Sequence, residues 1–344
     1  MYNDNDLDAA VSQGVLDKES VIRFRSFMAA NASSNTVDEE NFRLISGFND
    51  IFVSIAALIL LISASWVAAQ FHQLLPPLVG AILSWLLSVF FISHKRLALP
   101  AIMFLLAFVI SVAGLTFVAG TMLLPGWRAD EVVMLPVLAL LSGVLAAWVH
   151  WLKFKVPVTV AAGAATLIAS VVVGVYILTD GKAHLREVNL LNPVLICCGI
   201  ATFLLAMYWD AQDTTRRSRK SDVAFWLHLL AAPLIVHPIF ASLGILDGQS
   251  SLLGIVSIVM LYLLLGIISI AIDRRALMVS SLAYVLYAFS DLLEVYGVVS
   301  MSLAVSGLFI GTMLLLLSAY WHKTRSLVVG ALPARLNQYL PILG

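Results

Sequence analysis

Two carboxylates, Asp291 and Glu294, stand three positions apart in the stretch "YVLYAFSDLLEVYG", residues 284–297, with no basic residue close in sequence. The surrounding residues are apolar enough to lie in lipid, where an ionisable side chain is costly and marks an ion path, a proton relay or a paired structural site. On a helix turning about 100° per residue, Ser280, Tyr284, Tyr287, Asp291 and Glu294 fall within about 80° of arc. Lipid would waste that polar stripe, so it belongs against protein or a wet cavity. Asp291 lies about 24 Å along the helix from Arg275, which puts it in the outer third of the membrane and Glu294 close to the outer surface. The functional reading makes Asp291 a protonatable or cation-binding site. The plain reading pairs it with Lys182, Arg186 or Arg128 in the outer loops.

A second candidate is "VAFWLHLLAAPLIVHPIFASLGIL", which carries His228 and His237. Their spacing puts them on opposite faces of an unbroken helix, so they form no joint metal site unless Pro233 kinks it strongly. His237 falls in the outer leaflet, where it could meet Asp291; the plain reading is a buried histidine satisfied by a backbone carbonyl. Pro233 and Pro238 mark this helix as bent, as in helices that line transport paths. Cys197 and Cys198 are adjacent, a poor geometry for an unstrained disulfide, and lack a zinc-ligand spacing. No HExxH, GxSxG, Walker A or dinucleotide fingerprint occurs. The expectation is therefore a protein that is not an enzyme, with no catalytic residues, no metal and no cofactor.

The elements that must position these residues are membrane helices. Hydrophobic residues make up 61% of the 344, charged residues 12%, and mean hydropathy is +0.98. Apolar runs of about 20 residues, the length that crosses about 30 Å of hydrocarbon as a helix, recur from 48 to 322. Cutting at polar punctuation predicts ten spans near 48–69, 74–93, 97–124, 131–152, 156–179, 190–208, 223–246, 251–272, 276–296 and 299–321. The fold class is all-α, a polytopic helical membrane protein. Of its 20 Lys and Arg, only Arg128, Lys182 and Arg186 fall on one side of that threading and the other 17 on the opposite side. Basic loops stay in the cytoplasm, so both termini are expected there. Trp148, Trp151, Trp209, Trp226 and Trp321 fall at the cytoplasmic ends and Trp127 at an outer end, as interfacial aromatics do. The cluster "RRSRK" at 216–220 reads as a topology anchor able to meet anionic headgroups, with Asp210 and Asp213 at the same mouth. Zero formal net charge gives no argument for nucleic acid as a partner.

Residues 1–46 differ in kind. They are acidic and lack the basic-then-apolar pattern of a cleaved leader, leaving the first span as the expected insertion signal. "DLDAAVSQGVLDKESVIRFRSFMAAN" reads as helix, a break at Gly14, and a second helix. Asp17 is its N-cap, Leu16 and Val21 a hydrophobic staple, and Val21, Phe24 and Met28 one apolar face. "TVDE" at 36–39 is a capping box for a third short helix. The domain plan is thus a small cytoplasmic helical module, 1–46, a ten-span domain, 47–322, and a short cytoplasmic or interfacial tail, 323–344. In that tail Leu332, Leu336 and Tyr339 share one side between Pro333 and Pro341. Small residues at spacings of four, Gly80, Ser84 and Ser88, and Gly307 with Gly311, predict close helix contacts, as does "AAGAA" at 161–165.

The "QGVLDKES" joint followed by "SGFNDIFV" running into many spans resembles uncharacterised bacterial predicted-membrane-protein families with a small helical N-terminal module. The resemblance covers mainly residues 1–65 and carries no chemistry, but it points to a bacterial inner membrane. The ten-span, both-ends-in plan is similar to that of the drug/metabolite transporter superfamily, which implies two inverted five-span halves. Two functional expectations lead, ahead of an intramembrane enzyme, which would need several facing polar residues at one depth. A secondary, permease-like carrier of a small solute would use Asp291, His237, Tyr287, Tyr284 and Glu294 around a polar cavity between the seventh and ninth spans. A non-catalytic scaffold or accessory subunit would instead have a filled bundle, with the bilayer around it and a membrane-protein partner held by residues 1–46 or an exposed span.

Overall fold

The structure is a computed structural model that describes residues 7, 10–32, 48–95, 97–123, 134–179, 190–214, 216, 218–242, 252–295, 302–333 and 339–341. At some helical positions, Met28, Tyr284, Tyr287, Asp291 and Glu294 among them, it describes the backbone alone. The chain divides into two compact units, residues 1–42 with residue 344, and residues 43–343.

In the first unit, Gly14 takes a φ of +69°, a left-handed conformation that glycine adopts without steric cost, and the chain turns there as the sequence predicts. Helix α1, Lys18–Ala32, follows. The Asp17 carboxylate accepts hydrogen bonds from the Ser20 backbone N–H and hydroxyl, the geometry of an N-cap. These bonds hold the carboxylate below its ordinary pKa, the backbone bond contributing most. Val21 is buried and Phe24 half-buried, while Leu16 is exposed. The predicted capping box at 36–39 lies outside the described residues.

The second unit is all helix among the described residues. Its helices are α2 (Phe48–Ala69), α3 (Leu75–Phe90, with a π-helical turn at Phe91–Lys95), α4 (Ala98–Leu123), α5 (Leu135–Phe154), α6 (Val158–Leu178), α7 (Leu191–Ala211), α8 (Arg219–Ser242), α9 (Leu252–Ile272), α10 (Ala276–Val295), α11 (Ser302–Ala319) and α12 (Trp321–Ala331). A helix thus occupies each of the ten predicted apolar stretches. Among the described residues, α2 to α8 are long and apolar enough to cross a membrane. An eighth span is possible where α11 and α12 join across a 78° bend. These helices give the chain the build of a multi-pass membrane protein. Large apolar side chains such as Phe52, Ile59, Leu86, Ile110, Leu145 and Leu204 are exposed along the spans, the surface that acyl chains cover.

Consecutive helices pack as neighbours, most extensively α7 with α8, α5 with α6, and α3 with α4. Small residues set these contacts. Ser84 and Ser88 are fully buried and return their hydroxyls to Gly80 and Ser84 carbonyls of their own helix, which satisfies them without a partner helix. A Cβ on Gly199 would stand 2.7 Å from Ile235 Cγ1 of α8, so glycine is what lets α7 and α8 close. Gly163, within the "AAGAA" face, lies against Ala147. Gly307 and Gly311 behave otherwise: a Cβ on either would meet open space, so their predicted close contact is absent among the described residues.

Helix α8 is the most enclosed of the spans, with Val223, Leu227, Ala231, Val236 and Phe240 all fully buried. Near one end it packs on α6 and α7. Further along, Val236 and Phe240 join Leu265 of α9, Val285 of α10 and Ile310 of α11 in an apolar cluster. The interface between α8 and α10, the seventh and ninth predicted spans, is therefore filled by hydrocarbon at these residues.

Candidate functional site

Buried charge gathers at one end of the bundle, where α7 gives way to α8, α9 to α10, and α11 to α12. Its first component comes from the turn "IDRR". Helix α9 ends in a pair of bonds, Arg274 N–H to the Ser269 carbonyl at 2.9 Å and Asp273 N–H to the Ile270 carbonyl at 3.3 Å, the Schellman pattern. The left-handed position of that motif usually holds glycine. Here it holds Asp273 at φ 58°, an uncommon conformation that aspartate tolerates better than most residues. Its carboxylate explains the choice. Oδ1 accepts from Trp321 Nε1 at 2.7 Å and lies 3.8 Å from Arg325 Nε; Oδ2 accepts from Arg216 Nη1 at 2.9 Å.

Arg216, also left-handed at φ 52°, sits in the loop between α7 and α8. Its Nη2 donates to the Ile272 and Asp273 carbonyls at 3.1 Å each, capping the C-terminus of α9, where a cation is favoured. Burial, with the Arg274 charge adding to it, pushes the Arg216 guanidinium below its ordinary value, and Asp273 opposes the shift. An arginine starts so far above neutrality that it stays charged. Arg325 of α12 donates from Nη2 to the Pro341 carbonyl at 2.6 Å, tying the tail to the same knot, where Leu340 packs with Val329, Ile272 and Ala232.

The second component centres on Asp210, in the last turn of α7. Arg274 grips it with both Nη2 to Oδ1 at 2.6 Å and Nε to Oδ2 at 3.3 Å. The same Nη2 also reaches the Ser221 carbonyl and hydroxyl of α8, each at 3.0 Å. His228, one helical stretch further along α8, places Nε2 3.0 Å from Asp210 Oδ2. Its ring meets Phe203 edge-on at 5.3 Å between centroids, and its Nδ1 has no partner among the described residues. The side chains of Asp210, Asp273, Arg274 and Arg325 are 2–3% exposed. The cluster holds three guanidiniums and two carboxylates, interleaved so that each carboxylate faces more than one donor. Desolvating such charges costs several kcal/mol per ion, and the multiple bonds to each group are what offset it.

No protein-family model, no curated protein and no solved structure matches the chain.

The arrangement brings Asp210 and His228 into a carboxylate–imidazole dyad, but the other partners are arginine, serine and apolar side chains. Among the described residues no group of three or more His, Cys, Asp or Glu is placed to hold a metal. The geometry joins helix ends: α7, α8, the α9–α10 turn, α12 and the tail meet through ion pairs and hydrogen bonds of the same arginines and aspartates.

The residues expected to carry a site lie elsewhere. Asp291, Glu294, Tyr284 and Tyr287 are all in α10, which is helical throughout, so the stripe's register along one face holds for the backbone; their side chains lie outside those described. Ser280 is half-buried on the same helix. His237 is exposed on α8, whereas His228 is fully buried, the opposite-face placement that their spacing predicts. Lys182, Arg186 and Arg128, the possible outer partners of Asp291, lie outside the described residues.

Sequence reasoning also passed over His150. It is fully buried near the end of α5, with rings of Phe154, Phe108 and Trp85 at centroid distances of 4.6, 6.2 and 6.3 Å. Its Nδ1 lies 3.4 Å from Thr159 Oγ1.

Proposed function

We propose that the chain is a ten-span protein of a bacterial cytoplasmic membrane, with both termini inside, that serves as a non-catalytic scaffold or accessory subunit of a membrane complex. The observation that carries this reading is the apolar cluster of Val236, Phe240, Leu265, Val285 and Ile310. A carrier of a polar solute needs a wet, polar path between the seventh and ninth spans; at these residues the two helices are sealed by hydrocarbon. The buried ion pairs at the basic end support the same reading, because parting a buried pair without replacing its partners costs about 3–5 kcal/mol. A bundle tied in this way holds one shape for others to build on. The orientation rests on charge: the knot lies at the end carrying the loops rich in Lys and Arg, and such loops stay in the cytoplasm.

The test is a distance between spin labels at Lys220 on α8 and Val279 on α10, both exposed, in protein reconstituted into vesicles. A scaffold gives one distance distribution at every pH and with every cation gradient. Two populations that exchange weight with pH or Na⁺ would overturn the reading and restore the carrier, for which the continuous helical register of Tyr284, Tyr287, Asp291 and Glu294 along α10 is the supporting observation.

A further inference from the structure

Two adjoining cavities beside α10 and α11 outline a groove. The larger, of about 350 Å³, runs between α9, α10 and α11 past Gly266, Phe289, Phe309 and Met313. The smaller, of about 200 Å³, reaches Arg275, Ser318 and Trp321. Both are lined by Met278, Leu314 and Leu317, so the two spaces adjoin between mid-helix and helix end. Its deep part is lined by apolar side chains and by Tyr262, whose buried hydroxyl has no partner among the described residues. Gly266 helps to keep it open, since a Cβ there would meet nothing within 4 Å. The stacked rings of Phe289 and Phe309, 5.6 Å apart, stand at the inner end.

The mouth has a different chemistry. Arg275 is exposed and its guanidinium lies 4.7 Å above the Trp321 ring. Lys323 is exposed one turn away, with its ammonium 5.8 Å from the Tyr320 ring. Here the chain bends by 78° at Tyr320, which is exposed, into α12, which buries Trp321, Arg325 and Val329 and exposes Leu327. A helix turned across the end of a span, with arginine, lysine, tryptophan and tyrosine together, marks the level of lipid headgroups. From Phe309 to Trp321 the groove is about 18 Å long at 1.5 Å per residue, against about 15 Å for one leaflet of hydrocarbon.

We infer that this groove is a binding site for one anionic phospholipid, its acyl chain lying along α9 and α11 over Gly266 and its phosphate at Arg275. The inference rests on the membrane-spanning reading of α9 to α11, and not on the scaffold role. A bare apolar groove would take any acyl chain; the cation at its mouth selects the charge of the headgroup.

The test uses full-length protein delipidated in a neutral detergent, with binding read by native mass spectrometry for dioleoylphosphatidylglycerol, dioleoylphosphatidylcholine and inorganic phosphate. The wild type should prefer the glycerol lipid about fivefold, the effect of one basic residue near a headgroup. R275Q should bring the two lipids level while keeping both. G266L, which fills the groove, should lose both, and M313W, filling it from α11, guards against misfolding of the first variant. Equal binding of the two lipids by the wild type, or retention of both by G266L and M313W, would sink the inference. So would phosphate alone competing as well as the lipid, which would mark a soluble-anion site.

Discussion

Arg274 and Asp210, 64 positions apart in the chain, meet as a bidentate pair with Nη2 2.6 Å from Oδ1 and Nε 3.3 Å from Oδ2, both side chains 2% exposed. The pair joins the end of α7 to the α9–α10 turn, and His228 and Ser221 bring in α8. Arg274→Met removes the donor and leaves the Asp210 carboxylate buried beside a single imidazole. The expected loss is about 3–5 kcal/mol of unfolding free energy, measured by unfolding in mixed micelles. Adding Asp210→Asn should restore part of it, because the stranded charge is then gone. A double variant no more stable than Arg274→Met alone would show that the carboxylate is not what the arginine serves.

Asp273→Gly separates backbone from side chain at one position. Glycine would relieve a left-handed conformation whose cost is about 1–2 kcal/mol for an L-residue. It would also remove the carboxylate that accepts from Arg216 and Trp321 and faces Arg325 as a counter-charge. The second effect is larger, since it leaves guanidiniums buried without a counter-charge, so the variant should be less stable than wild type. A gain in stability would mean that the Schellman turn alone holds this end together.

The placement of the helices was legible because an apolar run of about 20 residues between charged loops has few other uses. The helices α2, α9 and α10 begin within a residue or so of their predicted starts. The knot was not legible. Arg216, Arg274 and Arg325 read equally well as exposed topology anchors, since a loop arginine carries no mark of its partner. Their burial depends on how α7, α8 and α9 come together, which periodicity does not report. One local signal was present: an aspartate directly after an apolar helix, followed by two arginines, where a glycine stop is usual. The bend at Tyr320 was also missed, because "LLLLSAYWHKTRSLVVGA" contains neither proline nor a glycine near the break. His237 and Asp291 drew attention as rare polar residues in apolar runs. Among the described residues His150, equally rare, and His228 are the buried histidines.

Threading makes a prediction of its own. Ser218 is exposed in the loop between α7 and α8, which charge bias assigns to the cytoplasm. In a background with Cys197 and Cys198 replaced by alanine, Ser218→Cys should resist an impermeant maleimide in intact cells and react once they are opened. Labelling from outside would invert the whole orientation.

The N-cap of α1 should depend on pH. The Asp17 carboxylate is held below its ordinary pKa by bonds from Ser20, so its contribution is complete above that ordinary value and fades as pH falls through the lowered one. Amide exchange in the first turn of α1, corrected for intrinsic rates, should accelerate at acid pH in the wild type. Asp17→Ala should show the faster exchange at neutral pH and little further change on acidification. Equal protection in the two proteins at neutral pH would remove Asp17 from any capping role.

Asp291 decides between the carrier and the scaffold. It lies in a continuous helix whose neighbours Phe289 and Val285 pack in the apolar cluster with Phe240 of α8. An unpaired charge facing hydrocarbon would cost at least about 2.5 kcal/mol on insertion scales, so the carboxylate needs a partner or water. A scaffold satisfies it structurally. Asp291→Asn should then leave expression and ion permeability of reconstituted vesicles unchanged, with at most a small loss of stability, and Glu294→Gln should behave alike. A carrier uses it as the exchanging group. Proton or cation flux present in wild-type vesicles and abolished by Asp291→Asn, with Glu294→Gln still active, would establish transport and make the sealed α8–α10 interface one state of a moving bundle.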